Sequence, residues 1–192
     1  MNNHLKEIIG YFLSTIGTIQ AAIGNTPQLH LNETQSYQLR LIGNVLQASG
    51  SALAADGQGS VSLEKIGDEI QATGNSTVFA GMLLYGCSDE ETEQRIVIAG
   101  TWMQALGSFV GLADEFFDST EAGRAENIVG NLLQGIGNSL QAISTTQELH
   151  GNNSEQGQIG AVGSWIQTAG SVISLIGQIQ EEAEEIRLGI NE

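Results

Sequence analysis

One cysteine and one proline stand in 192 residues. A lone thiol, Cys87, excludes an internal disulfide and fits a reducing compartment, although many exported bacterial proteins also lack cysteine. The proline, Pro27, falls in a connector, where its missing N–H costs nothing. Basic residues are equally scarce: six stand against twenty-two acids, for a formal charge of −16. That balance repels phosphate backbones and anionic lipid headgroups, so nucleic acid is excluded as a partner. Charged residues amount to 15% and apolar ones to 41%, on the globular side of the disorder boundary. Solubility would then rest partly on Gln, Asn, Ser and Thr.

Catalytic constellations are absent as well. The chain has no nucleophile elbow, phosphate loop, His-Glu-x-x-His, paired cysteines or Glu-x-x-His. The expectation is a protein that is not an enzyme, with no catalytic residue, cofactor or metal. The acids gather in Asp89 to Glu93, Asp114 to Glu126 and Glu181 to Glu185, without the alternation and central glycine of a calcium loop. They read as solvated loops and helix ends, and uncharged stretches of about twenty residues separate them.

What the chain does have is a repeat. The octapeptide Gly-x-x-apolar-Gln-small-x-Gly recurs six times, as GYFLSTIG from Gly10, where Ser14 replaces the Gln, GNVLQASG from Gly43, GDEIQATG from Gly67, GTWMQALG from Gly100, GNLLQGIG from Gly130 and GSWIQTAG from Gly163. Its closing glycines are Gly17, Gly50, Gly74, Gly107, Gly137 and Gly170. The starting glycines are 33, 24, 33, 30 and 33 residues apart, which groups the copies into three pairs. The unit of duplication is therefore a helical hairpin. The connectors repeat too: His30, Cys87 and His150 each stand thirteen residues before Gly43, Gly100 and Gly163. Those three would offer a Cys/His₂ metal set only if the hairpins closed around an axis. In an open row, equivalent loops lie about 10 Å apart, and duplication alone explains the match.

A glycine period of seven is helical. At 100° per residue Val45, Leu46, Ser49 and Gly50 share one arc while Asn44, Gln47 and Ala48 share the other. Glycine thus lies on the border between an apolar stripe and a polar face. Each internal glycine costs about 1 kcal/mol relative to alanine, so the twelve in the octapeptides cost on the order of 12 kcal/mol. Only close approach of neighbouring helices offsets such a sum, so Gly10, Gly17, Gly43, Gly50, Gly67, Gly74, Gly100, Gly107, Gly130, Gly137, Gly163 and Gly170 are expected to mark helix contacts. Leu13, Leu46, Ile70, Met103, Leu133 and Ile166 would be knobs beside these notches. The preceding position varies, with Phe12, Trp102 and Trp165 but also Glu69, and is expected at different depths, helix three being the most exposed. Gln47, Gln71, Gln104, Gln134 and Gln167 are either boundary helix formers or an interhelical amide ladder.

The pattern predicts helices at about Asn3–Gly24, Thr34–Asp56, Ser62–Gly86, Glu90–Leu112, Thr120–Thr145 and Ser154–Leu188. Thr34, Ser62, Ser88, Ser119 and Ser154 are the expected caps, with Glu91 completing a capping box on Ser88. The fold class expected is all-α, one repetitive domain over 1–192 of three tandem antiparallel hairpins (about 3–56, 62–112 and 120–188), as a glycine-notched bundle or a short α-solenoid. Lys6 ahead of Ile8 to Ile23 imitates a signal peptide, but that run matches internal copies and reads as the first structural helix.

The phrases from Ile42 to Gly50 and from Ile136 to Ile143 resemble uncharacterised repetitive proteins of spore-forming Bacillus-type bacteria. The resemblance implies a repetitive helical protein and lends no site. The leading functional expectation is a structural protein that self-associates through its glycine-marked faces, as a filament or lattice subunit, in the cytoplasm or at a spore or cell surface without a cleaved signal peptide. Its principal partner would be itself. Alternatives are a partner-binding helical module and a membrane- or lipid-interacting protein. Uncharged stretches such as Asn127 to Gln147 and Gln156 to Gln180 could span a bilayer, but their Gln, Asn and Ser content argues against membrane partnership.

Overall fold

The computed structural model describes residues 3–86, 88–117, 121–151 and 156–189. They form six α-helices: α1 Asn3–Gly24, α2 Glu33–Gly57, α3 Leu63–Tyr85, α4 Glu90–Asp114, α5 Arg124–Leu149 and α6 Gln156–Leu188, with a 3₁₀ turn at Pro27–Leu29 and no strand among the described residues. The shortest, α1, has 22 residues and the longest, α6, has 33, or about 33 and 50 Å of rise.

Local chemistry sets the starts of these helices, and several differ from the expected ones. Asn32, not Thr34, caps α2: its Oδ1 accepts from the Gln35 backbone N–H at 2.8 Å while Gln35 Oε1 accepts from that of Asn32 at 3.1 Å. Ser62 caps α3 as expected, accepting from the Lys65 backbone at 3.0 Å. At α4 the Ser88–Glu91 box is replaced by Asp89, whose carboxylate takes both the backbone N–H and the hydroxyl of Thr92. An ionised oxygen is the stronger acceptor at a helix N-terminus. Helix α5 starts at Arg124, later than expected, behind Gly123 at φ 78°. A side chain on Gly123 would run into the backbone of Gly177 on α6, so glycine is required there on two counts. Thr120 and the expected caps Ser119 and Ser154 lie outside the described residues.

The hairpins are α1–α2, α3–α4 and α5–α6, and each is tight along its glycine line. The register is antiparallel and reciprocal. Gly10 faces Gly50 and Gly17 faces Gly43; Gly67 faces Gly107 and Gly74 faces Gly100; Gly130 faces Gly170 and Gly137 faces Gly163. A β-carbon on Gly43 would lie 2.7 Å from the Gly17 carbonyl oxygen, and one on Gly163 2.7 Å from that of Gly137. Even a methyl group is excluded, which is the physical return for the helix-propensity cost.

Looser seams join the hairpins: α2 packs on α3, α4 on α5, and α1 on α6. The last contact closes the ring. Thr15 Oγ1 on α1 meets Ser171 Oγ on α6 at 3.0 Å, and Asn25 Nδ2, just beyond α1, donates to Ser164 Oγ on α6 at 2.8 Å. Of the two expected architectures the structure is the closed bundle, because α1 and α6 cover each other and leave no open solenoid end.

Candidate functional site along a polar axis

Amphipathic helices normally turn apolar residues inward, and these helices do the reverse. In the position two after each opening glycine stand Phe12, Val45, Glu69, Trp102, Leu132 and Trp165, and all six are exposed, Phe12 to 52% and Trp102 to 45%. The expected variation in depth, with helix three singled out, is therefore absent at this position. The residue before it is buried in five of the six copies, and there it is Asn44, Asp68, Thr101, Asn131 or Ser164. The arcs derived for Val45 and Asn44 are right, but the Asn44 arc faces the axis. The knobs Leu13, Leu46, Ile70, Met103, Leu133 and Ile166 are only half-buried on the flanks.

Gly10 to Gly170, the twelve octapeptide glycines, sit between these two faces with their Cα atoms against the opposing helix. Small residues such as Ala22, Ala54, Ala105 and Ala142 complete the dry contacts. The largest wholly buried side chains are Gln178, Glu182, Asn75 and Asn138.

The repeated amides divide. Gln167 Nε2 donates to Gln47 Oε1 at 2.9 Å, Gln141 Nε2 donates to Gln167 Oε1 at 3.0 Å, and Ser164 Oγ donates to Gln141 Oε1 at 3.0 Å. This chain ties the first hairpin to the third. Its Gln141 lies outside the octapeptide pattern and was not singled out by it. Gln134 instead donates to Ser174 Oγ at 3.0 Å, Gln71 packs its Cγ over Gly107, and Gln104 is buried where it lines the cavity described next.

Two polar regions terminate the axis. Near the α1–α2, α3–α4 and α5–α6 connectors, a cavity of about 380 Å³ draws its walls from all six helices, with Gln47, Gln104 and Gln167 among its lining and Arg40, Glu93 and Glu148 nearer the connectors. Burial raises the Glu93 carboxyl, opposed by the Arg40 charge.

At the other end the acids crowd together. His4 Nδ1 contacts Glu182 Oε2 and lies 3.8 Å from Glu185 Oε2. Tyr11 donates to Glu64 at 3.1 Å, Gln58 donates to Asp68 at 2.9 Å, and Gln178 Nε2 donates to Glu182 at 2.7 Å and to Glu7 at 3.4 Å. Burial is the main cause that holds the Glu7 carboxyl up to about 10, followed by its hydrogen bond with Glu182 and repulsion from Glu182, Glu185 and Glu181. Burial pushes Asp68 up to about 8, partly relieved by Gln58, and it also raises Glu64, reinforced by Glu181, Asp68 and Glu7.

No sequence motif singled out this nest. His4-x-x-Glu7 and Glu182-x-x-Glu185 each put two donors on one helix face, but only ring closure brings the two ends of the chain together. The three connector residues give nothing comparable. His30 and His150 are exposed, His150 Nδ1 lies 2.7 Å from the carbonyl of Thr146, and Cys87 lies outside the described residues. The one His/Cys/Asp/Glu group with metal-like spacing among the described residues is His4, Glu182 and Glu185.

No curated protein and no solved structure matches the chain. A family of unknown function, DUF6944, matches residues 5–175, which takes in all six octapeptides and stops short of the acidic end of α6. The glycine-registered bundle described above is thus the structure of a member: the chain belongs to the DUF6944 family of unknown function.

Proposed function

We propose that this chain is a non-enzymatic, membrane-embedded helical bundle whose apolar outer surface faces lipid and whose polar axis is sealed from it. The observation that carries the reading is the inverted amphipathicity of α1, α2, α4, α5 and α6, while α3 exposes Glu69, Thr73 and Ser76 and buries Val78 and Met82. Burying apolar area against lipid or protein is worth about 25 cal/mol per Å², and the six-helix ring leaves Phe12, Trp102, Leu106, Leu132, Val162 and Trp165 outside it.

Charge placement agrees. The uncharged belts run from 15 residues in α2 (41–55) through 18 in α4 (96–113) and 21 in α5 (127–147) to 25 in α6 (156–180), with charges at the two rims. Eighteen helical residues rise about 27 Å, close to the roughly 30 Å hydrocarbon core of a bilayer. In α4 and α6 the most apolar windows reach a mean hydropathy of 1.6 and 1.4. In the other helices the Gln, Asn and Ser residues that lower hydropathy are largely turned to the axis. Hydroxyls satisfy themselves within their own helices, Thr73 on the Glu69 carbonyl and Thr77 on that of Thr73, both at 2.8 Å, as a site without water requires.

A second reading keeps the protein out of the bilayer and covers the same surface with further copies of the chain. It is favoured by Ser49, Thr73 and Ser76, small polar residues on the outside of α2 and α3. The glycine faces are consumed within each hairpin, so such contacts would use the outer surface instead.

Flotation of the full chain with phosphatidylcholine vesicles separates the readings. The membrane reading expects protein in the light fraction that resists extraction at high salt. Protein that stays in the dense fraction as a detergent-free polymer, seen by light scattering, would overturn it in favour of self-association.

A further inference from the structure

We propose that His4, Glu182 and Glu185 form a binding site for one divalent transition-metal ion, clasping the first helix to the last at the rim of the bundle. The inference does not rest on the bilayer reading. The ligand atoms, one imidazole nitrogen and two carboxylate oxygens, all lie within 4.8 Å of one another. An ion with bonds of about 2.0–2.2 Å holds neighbouring donors roughly 3–3.6 Å apart, and His4 and Glu185, at 3.8 Å, already stand near that spacing. His4 is 4% exposed and Glu182 1%, whereas Glu185 is half-buried and leaves a way in. Glu7, one turn beyond His4, is hydrogen-bonded to Glu182.

An independent observation comes from the amides of the nest. Gln178 is 1% exposed, and its Nε2 is engaged with Glu182 and Glu7 while its Oε1 accepts no hydrogen bond. Asn127, 3% exposed, repeats the arrangement: Nδ2 donates to Glu181 at 2.8 Å and Oδ1 accepts nothing. Buried amide oxygens without donors, set among carboxylates, keep lone pairs that a cation can draw on. Lys6, on the same helix as His4, is occupied by Asp56 at 2.7 Å. One imidazole with carboxylates selects zinc, manganese or ferrous iron over calcium or magnesium, which prefer oxygen alone.

The test is titration of the full chain, stripped with EDTA, with Co²⁺ followed by visible absorption, and then displacement by Zn²⁺. The expected result is one Co²⁺ per chain, with affinity weakened more than about tenfold in His4→Ala and in Glu185→Gln, and unchanged in Glu121→Gln on the same rim. Glu185→Gln alters the most accessible of the three ligand side chains, so circular dichroism should show a native helix content and keep the test valid if His4→Ala fails to fold. No saturable Co²⁺ binding, native affinity in both ligand variants, or displacement by Mg²⁺ as effective as by Zn²⁺ would each overturn the proposal, the first leaving a shared proton as the glue of the nest.

Discussion

Gly74 and Gly100 face each other across the second hairpin so closely that a β-carbon on either would lie 2.7 Å from the other's carbonyl oxygen. Alanine at either position gains about 1 kcal/mol of helix propensity but forces two backbones apart, and overpacking of that kind costs about 1–3 kcal/mol. Gly74→Ala and Gly100→Ala should each lower the unfolding midpoint, and the double variant should cost less than the sum, since the first methyl already separates the helices. Ser49→Ala on the outer surface should leave the midpoint within experimental error. Thermal or denaturant unfolding checks all four.

Gln167 accepts from Gln141 and donates to Gln47, so its two functional atoms have different jobs. Gln167→Glu keeps the acceptor, loses the donor and adds a buried charge. The expected loss is about 1–3 kcal/mol, larger at neutral pH than at pH 4, where the carboxyl is protonated and donates again. Equal stability at both pH values would show that the amide chain contributes nothing directional.

Glu7 and Asp68, at the rim outside the uncharged belts, bind protons more tightly folded than unfolded, with carboxyls raised to about 10 and about 8. The stability this gives is complete below the ordinary carboxylate range and is lost as pH rises through 8 and 10, because the folded state then has to surrender protons it holds in preference to the unfolded chain. In EDTA the unfolding midpoint should fall by several degrees or more between pH 5 and pH 9. Glu7→Gln and Asp68→Asn should each flatten that slope. A slope of the opposite sign would place ionised carboxylates in the nest.

Four of the six basic residues, Lys6, Lys65, Arg124 and Arg187, lie at the rim that carries both chain ends, and Arg40 and Arg95 lie at the other. In a bilayer this bias points the first rim to the cytoplasm. Cys87 stands in the sequence between the end of α3 and the start of α4, and those two helix ends lie at the opposite rim. A membrane-impermeant maleimide should label it from outside intact cells and not from inside sealed inverted vesicles, by a mass shift of the whole chain.

The sequence by itself determined the helices, their pairing and the glycine contact line, because period seven and the 33-residue interval are properties of the chain alone. It also placed Asn44 and Val45 on opposite arcs. Which arc faced the axis was beyond it: periodicity defines two faces but names neither as the inside, and the usual preference for apolar interiors points here to the wrong one. His4 and Glu182 stand 178 residues apart, and only closure of α1 on α6 makes them neighbours. Local spacing sets what each helix is, while the order in which helices meet around a ring sets which distant donors share a site, and that order is decided by tertiary packing.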